Sequence, residues 1–252
     1  MPFQIVSNVT LASAATTIGS LIGQPIGPDP AGNTDPLVTQ IITALNQAAS
    51  ELYAIRDWQE LRSQLDLLVV GDNAGQREKF FDLPVDYGRF VDSTQWSTSQ
   101  RWPCLGPITA KNWATLLNMP ALPVATIYWQ IRNDKLVVMA PPFPDPLPMF
   151  AYYISRGFIT DQDDPTIYKN IATKNGDTFL LDGQLITLLG RLKWLEYKGF
   201  DTAAAARDYQ VQFDSRAGSD EGAMIMSLTA SNVGINMPLI SGVNLPITGY
   251  GS

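Results

Sequence analysis

The chain has 252 residues, 45% of them hydrophobic, and carries a formal charge of −7. Histidine is absent and cysteine occurs once, at Cys104. This excludes Ser-His-Asp and Cys-His nucleophilic catalysis, His-ligated metals, an intrachain disulfide and a cysteine zinc site. An acidic chain with Lys+Arg 17 against Asp+Glu 24 does not read as a tight nucleic-acid binder, which needs clustered Lys and Arg.

Met1–Thr10 has no basic n-region, and no apolar run approaches bilayer length, so neither secretion nor membrane insertion is expected. Val9–Leu21 has helical spacing in Leu11, Ala14, Ala15 and Ile18, with Thr10 as cap. A Pro/Gly loop follows, Gly23–Gly32. Asp35 then offers an N-cap and Pro36 a first helical residue, which open a helix to about Trp58 striped with Val38, Ile41, Leu45, Ala48, Leu52 and Ile55. Leu61–Val70 reads as a strand, Gly71–Gly75 as a hairpin turn and Arg77–Leu83 as its returning strand. Tyr87–Trp96 is extended. Ile108–Leu117 is a short helix with Trp113 and Leu116 inward. Val124–Arg132 and Lys135–Ala140 form a hairpin about Asn133-Asp134. After a proline-rich loop, Pro141–Pro148, Met149–Ser155 is a further strand, and Asp161–Gly176 is polar and irregular.

Leu180–Asp220 reads as two helices back to back. Asp182–Lys198 aligns Leu185, Leu188, Leu189, Leu192 and Leu195, with Gly199 as its stop. Gly183, Thr187, Gly190 and Trp194 form a second face of small residues ending in one ring, a place for another backbone to come close. Thr202–Arg216 follows, with Tyr209 and Phe213 on one side. With the leucine face satisfied by the helix from Pro36, the small-residue face is left for a neighbouring copy. The oligomer interface is therefore expected at Gly183, Thr187, Gly190, Trp194, Ile41 and Leu45.

Residues 223–252 carry no charge, and Pro238, Pro246 and several glycines oppose a helix. The tail's Met224, Ile225, Met226, Leu228, Ile235, Met237, Leu239, Ile240, Leu245, Ile247 and Tyr250 are costly to leave in water, at about 25 cal/mol per Å². An extended arm docking on another subunit is the economical reading; folding back on its own domain is the other.

Other groupings are weaker. Asp161, Asp163 and Asp164 form an acidic cluster, but a calcium loop needs Gly and Glu where Thr166 and Ala172 stand. Asp82, Asp86 and Asp92 are candidates for the paired carboxylates of a glycan hydrolase, or simply for structural ion pairs and turn caps. Trp96, Trp102, Trp113, Tyr128 and Trp129 read as a sugar- or base-stacking platform or as the core of a small sheet. A tail-associated glycan hydrolase and a carbohydrate-binding module are thus the alternative functions.

Several pieces in order resemble bacteriophage head-to-tail adaptor proteins. They are Thr34-Asp35-Pro36, Asp57-Trp58-Gln59-Glu60-Leu61, and Leu83-Pro84-Val85-Asp86-Tyr87-Gly88-Arg89-Phe90. Thr94-Gln95-Trp96, Gly106-Pro107-Ile108-Thr109 with Trp113, Tyr128-Trp129-Gln130-Ile131-Arg132 and Phe150-Ala151-Tyr152-Tyr153-Ile154-Ser155 follow. The last are Leu180-Leu181-Asp182, Leu189-Gly190-Arg191-Leu192-Lys193-Trp194, Lys198-Gly199-Phe200-Asp201 and Tyr209. The resemblance spans about residues 8–222, and the tail is longer than the family leads one to expect. It implies a non-enzymatic virion protein without cofactors: a homo-oligomeric ring, usually dodecameric, in the phage neck beneath the portal protein. The ring would be assembled in the host cytoplasm, meet a tail nozzle or tail tube protein, and pass genomic DNA through its lumen without sequence-specific binding. The expected fold is α+β: a bundle of long helices (the helix from Pro36 and the C-terminal hairpin) with an inserted small antiparallel β domain and an extended C-terminal arm. In residue terms, 1–70 and 178–222 form the helical ring-forming domain, 71–177 the inserted β-rich domain with one short helix, and 223–252 the arm.

Overall fold

The computed structural model describes residues 8–70, 78–98, 101–119, 126–139 and 147–220. The arm residues from Met224 to Tyr250 and the turn Gly71–Gly75 lie outside them.

Four helices form one core. α1 (Leu11–Leu21) is capped by Thr10, whose hydroxyl accepts from the Ser13 N–H at 3.3 Å. α2 (Pro36–Ile55) starts where the Asp35 carboxylate accepts from the Leu37 N–H at 2.8 Å, with proline at the first turn. α4 (Gly183–Lys198) is capped by Asp182, which accepts from the Gln184 and Leu185 amides, and it stops at Gly199, where φ is 70°. α5 (Ala203–Asp220) follows after a four-residue link. Ile18, Ile41, Leu45, Leu52, Leu185, Ile186 and Leu189 interdigitate among them. A small sheet closes the bundle's end, with β1 (Val9–Thr10), β12 (Thr178–Phe179), β10 (Ile159–Thr160) and β11 (Tyr168–Lys169) in that order, all antiparallel. Its Phe179, Ile159, Phe158 and Leu181 belong to the same core.

The remaining strands make one large mixed sheet. They are β2 (Arg62–Val69), β3 (Glu78–Asp82), β4 (Tyr87–Phe90), β5 (Trp96–Ser97), β6 (Trp102–Leu105), β7 (Ile127–Arg132), β8 (Lys135–Met139) and β9 (Leu147–Ser155). The order is β2-β9-β5-β6-β7-β8-β3, with β4 pairing on β9. Only β6 and β7 run parallel among the pairs within this sheet. One face holds Trp129, Ile127, Leu136, Val138, Leu147 and Met149. On the other face α3 (Ala110–Asn118) sets Trp113 and Leu116 against Val137 and Met139. β8 is buried on both sides, which is why its sequence is a continuous apolar run rather than an alternation.

This architecture overturns the expected fold class. A large, nearly closed, barrel-like mixed sheet dominates, rather than a long-helix bundle bearing a small antiparallel β domain. The sheet begins at Arg62, inside the segment assigned to the helices. The expected hairpin of Leu61–Val70 with Arg77–Leu83 is not formed: β2 pairs with β9 over eight residues, and β3 pairs with β8. Both strands find their partners more than fifty residues away, and no local pattern encodes that. The β7–β8 hairpin does form, with Asn133 and Asp134 both at positive φ (52° and 56°), the primed turn suited to strand twist.

Two polar clasps tie sheet to helices. Arg89 on β4 places its Nε 2.7 Å from Asp57 Oδ1. Its Nη2 donates to the carbonyls of Tyr53 (3.0 Å) and Arg56 (2.8 Å) at the end of α2. The second clasp holds the last turn of α5. Arg216 reaches Glu60 at 2.7 Å and Asp182 at 3.5 Å, and Asp220 accepts from the Gln59 amide at 3.4 Å.

Candidate interaction surface

The residues expected at the oligomer interface lie inside the subunit. Ile41 and Leu45 are wholly buried in the helical core, and Gly183, Thr187, Gly190 and Trp194 are buried as well. Gly190 faces Leu45 and Ile18 so closely that an added Cβ would sit 2.9 Å and 3.0 Å from their terminal methyls. The close approach predicted from the small residues is therefore real, but it joins α4 to α1 and α2 of the same chain. α4 packs against α1, α2 and α5 of its own chain, and Gly190 meets the first two of these.

The three aspartates considered for hydrolysis are dispersed. Asp82 pairs with Lys135 at 2.9 Å, Asp86 accepts from the Tyr153 hydroxyl at 3.0 Å, and Asp92 is exposed. The aromatic group is split between core and surface. Trp113 and Trp129 are buried, Tyr128 is half-buried, and Trp96 is partly exposed with its indole N–H on the Ser93 carbonyl at 3.3 Å. None of the described helices is long and apolar enough to cross a membrane.

The acidic loop is built around a residue that sequence reading passed over, Asp177. This side chain is wholly buried. Its Oδ1 accepts from the Gln162 amide at 3.1 Å, and its Oδ2 from the amides of Thr173 (2.7 Å) and Lys174 (2.8 Å) and from Lys169 Nζ at 2.7 Å. Lys169 also reaches Asp161 at 2.7 Å, and Lys174 bridges Asp161 (3.1 Å) and Asp163 (2.6 Å). The backbone carbonyls of Asp177 and Asn175 accept from the first amides of α1, at 2.9 and 3.0 Å. Asn46 on α2 exchanges two hydrogen bonds with the backbone of Ala172. The one available signal was compositional: Lys169 and Lys174 lie between Asp161 and Asp163 on one side and Asp177 on the other within one polar stretch.

Burial works against the charged form of Asp177. Lys169 and the three amides outweigh it and hold the carboxyl below its ordinary value. The hydrogen bond from Lys169, then the Asp163 amide and Lys174, depress Asp161 too. Burial disfavours the Lys169 cation, but Asp161 and Asp177 overcome this and raise its pKa. The depressed carboxylates contribute stability above the ordinary aspartate value near ~3.9, and lose it as pH falls through their lower folded values. The raised lysine contributes below ~10.4 and loses that contribution as pH climbs through its folded value.

Beside these ion pairs, the same loop carries exposed apolar groups. Ile167, Tyr168 and Ile171 are 52%, 51% and 55% exposed, and Val85, on the adjoining β3–β4 turn, is 90% exposed. Val85 and Tyr168 line a cavity of about 620 Å³ whose other walls are largely polar: Asp86, Arg156, Thr166, Lys169 and Asn170, with Gly157. Among the described residues β11, at its rim, pairs with β10 alone and is an outer strand of the small sheet. Gly157 lets β11 come close, since a Cβ there would stand 2.4 Å from that of Tyr168. Further large apolar side chains are exposed elsewhere: Phe200 and Val211 on the helical hairpin, and Leu68, Val70 and Phe80 on or beside the large sheet.

No family model matches the chain, and a search of curated proteins returns no match. The resemblance to phage adaptors therefore rests on the sequence pieces quoted above.

Proposed function

We propose that this chain is a structural subunit of a head-to-tail adaptor ring in a phage neck, between the capsid portal and a tail nozzle or tail tube protein. The observation that carries this reading is apolar surface on several separate elements of one subunit. Val85 and Tyr168 line one cavity, with Ile167 and Ile171 beside Tyr168 in the chain; Phe200 and Val211 lie on the helical hairpin, Leu68 and Val70 at one end of the large sheet's strand order and Phe80 at the other. Exposed apolar side chains on this many elements suit a molecule that meets more than one partner. Neighbouring copies would use such outer residues, since the small-residue face of α4 is consumed inside the subunit. Identical copies joined head to tail through two different patches close into a ring when the rotation permits.

The acidic balance suits a lumen through which DNA slides without being held. The uncharged arm, with Ile235, Met237, Leu239, Ile240, Leu245, Ile247 and Tyr250, supplies the portal contact and orders at assembly. A chain ending at Gly222 is expected to fold with unchanged circular dichroism yet fail to co-sediment with the portal. Undiminished co-sedimentation would remove the arm from this role.

A further inference from the structure

Three stretches of chain meet at the cavity beside β11: the β3–β4 turn with Asp86, the link from β9 to β10 with Arg156, and β11 itself with its neighbours Thr166 and Asn170. We propose that this cavity binds a neutral pyranose unit of a saccharide, with Asp86 and Arg156 on its hydroxyls and the Tyr168 ring against its C–H face.

The size is that of a small-molecule site, and the walls are not. Ligand cavities of about 300–1,000 Å³ ordinarily have mostly apolar walls with a few polar groups. Here Asp86, Arg156, Thr166, Lys169 and Asn170 make up most of the lining, which selects an occupant rich in donors and acceptors.

The charges in the wall decide which polar occupant. Lys169 is spent on Asp161 and Asp177, at 2.7 Å each. One carboxylate, Asp86, and one guanidinium, Arg156, remain, and among the described residues neither has an ion-pair partner. The Asp86 carboxylate receives only the Tyr153 hydroxyl, at 3.0 Å, and the side chains of Arg156 and Asn170 have no hydrogen bond to described residues. A carboxylate only accepts and a guanidinium only donates. A free anion is repelled by the first and a free cation by the second. A hydroxyl both donates and accepts, so a neutral polyol satisfies Asp86, Arg156 and the Asn170 amide together.

Tyr168 distinguishes a sugar ring from other polyols. Its side chain is 51% exposed, beside Val85 at 90%. An exposed aromatic face with a polar rim suits a pyranose, which is apolar on its C–H face and polar at its edge. The groups are also held in place. The Asp86 carbonyl accepts from the Arg156 N–H at 2.7 Å, Tyr168 pairs with Thr160, and Gly157 admits the Tyr168 Cβ. A site fixed in this way loses little freedom on binding. Ring formation plays no part in it, so the site stands or falls separately from the neck assembly.

The test is a titration of isotope-labelled full-length protein, read as amide chemical shifts. The probes are methyl α-glucopyranoside, methyl α-galactopyranoside, methyl α-mannopyranoside and N-acetylglucosamine, with sodium acetate and N-acetylglycine amide as the anion and peptide probes. At least one sugar is expected to shift the amides of residues 156, 157 and 166–170 and to saturate with a Kd of about 1 mM or below. Asp86→Asn keeps an acceptor for Tyr153, and Tyr168→Ala keeps the Cβ over Gly157. Each is expected to weaken that binding at least about tenfold, at an unchanged melting temperature. No saturable shift with any of the sugars on the unaltered protein would overturn the proposal, whatever the variants do. Sugar binding that both variants retain would overturn it too. So would acetate or the peptide amide saturating the same amides more tightly than every sugar, because the cavity then takes an anion or a peptide.

Discussion

Asp177→Ala is expected to destabilise the protein by about 3–5 kcal/mol, the cost of removing one partner from a buried charge pair. The substitution strands the Lys169 ammonium beside Asp161 alone. It also leaves the amides of Gln162, Thr173 and Lys174 without their acceptor. Each lost acceptor is felt twice, because the same loop carries the carbonyls that receive the first amides of α1. Native stability is only about 5–15 kcal/mol, so the loss is a large share of the whole.

Urea unfolding at several pH values checks this and the sign of the electrostatics together. In the unaltered protein the midpoint should fall steeply below about pH 4, as Asp177 and Asp161 take up protons against their depressed pKa values. In Asp177→Ala part of that steepness should vanish. An equally steep acid limb in the variant would show that the hub does not govern acid stability. Asp177→Asn should lie between the two, since the amide keeps an acceptor oxygen but not the charge opposite Lys169.

The second large effect concerns the contact that sequence reading assigned to a neighbouring copy. Leu45→Ala is expected to cost about 2–5 kcal/mol, because the side chain is wholly buried between α2 and α4 and its removal leaves a cavity. Gly190→Ala alone sets two effects against each other. Alanine gains roughly 0.5–1 kcal/mol in helix propensity, but its methyl meets Leu45 and Ile18 at 2.9 and 3.0 Å. In the Leu45→Ala background the opposing leucine is gone, so the Gly190→Ala methyl fills space rather than colliding. The double variant should therefore be more stable than the sum of the single effects, by about 1 kcal/mol or more. Additive behaviour would mean that the two residues are not in contact within one chain. An interface between copies predicts a different outcome, in which Leu45→Ala lowers the oligomeric state before it lowers the melting temperature.

These two sites also show what the sequence could and could not convey. The long helices were legible because their signals are local. Asp35-Pro36 and Asp182 cap and Gly199 stops within a turn of the helix, and the stripe from Val38 to Leu52 repeats at helical period. The β7–β8 hairpin was legible for the same reason, through Asn133-Asp134. The large sheet was not. β5 has two residues and β6 four, β9 opens on Leu147-Pro148 inside what reads as a proline loop, and β2 and β9 find each other across the whole middle of the chain.

The small residues of α4 signal a close approach, and within the subunit α1 and α2 supply it at Gly190. A helix face records that something packs on it, and its residue types do not record whose chain supplies the partner. Asp177 was missed because a lone aspartate in a polar stretch has the same local pattern whether it is solvated or buried. Only the fold brings Lys169 and three amides onto it. The exposed apolar group at Val85, Ile167, Tyr168 and Ile171 was equally hidden, since scattered aliphatics in turns are ordinarily covered.

The central claim is that this subunit builds a neck ring, and one experiment addresses it most directly: electron microscopy of the purified full-length protein mixed with its cognate portal protein, paired with a native mass of the same mixture. The account predicts a closed ring of identical copies attached coaxially to one end of the portal, with a mass that is an integer multiple of 27.6 kDa added to that of the portal. A protein that stays monomeric beside intact portal rings, with no added density, would contradict it.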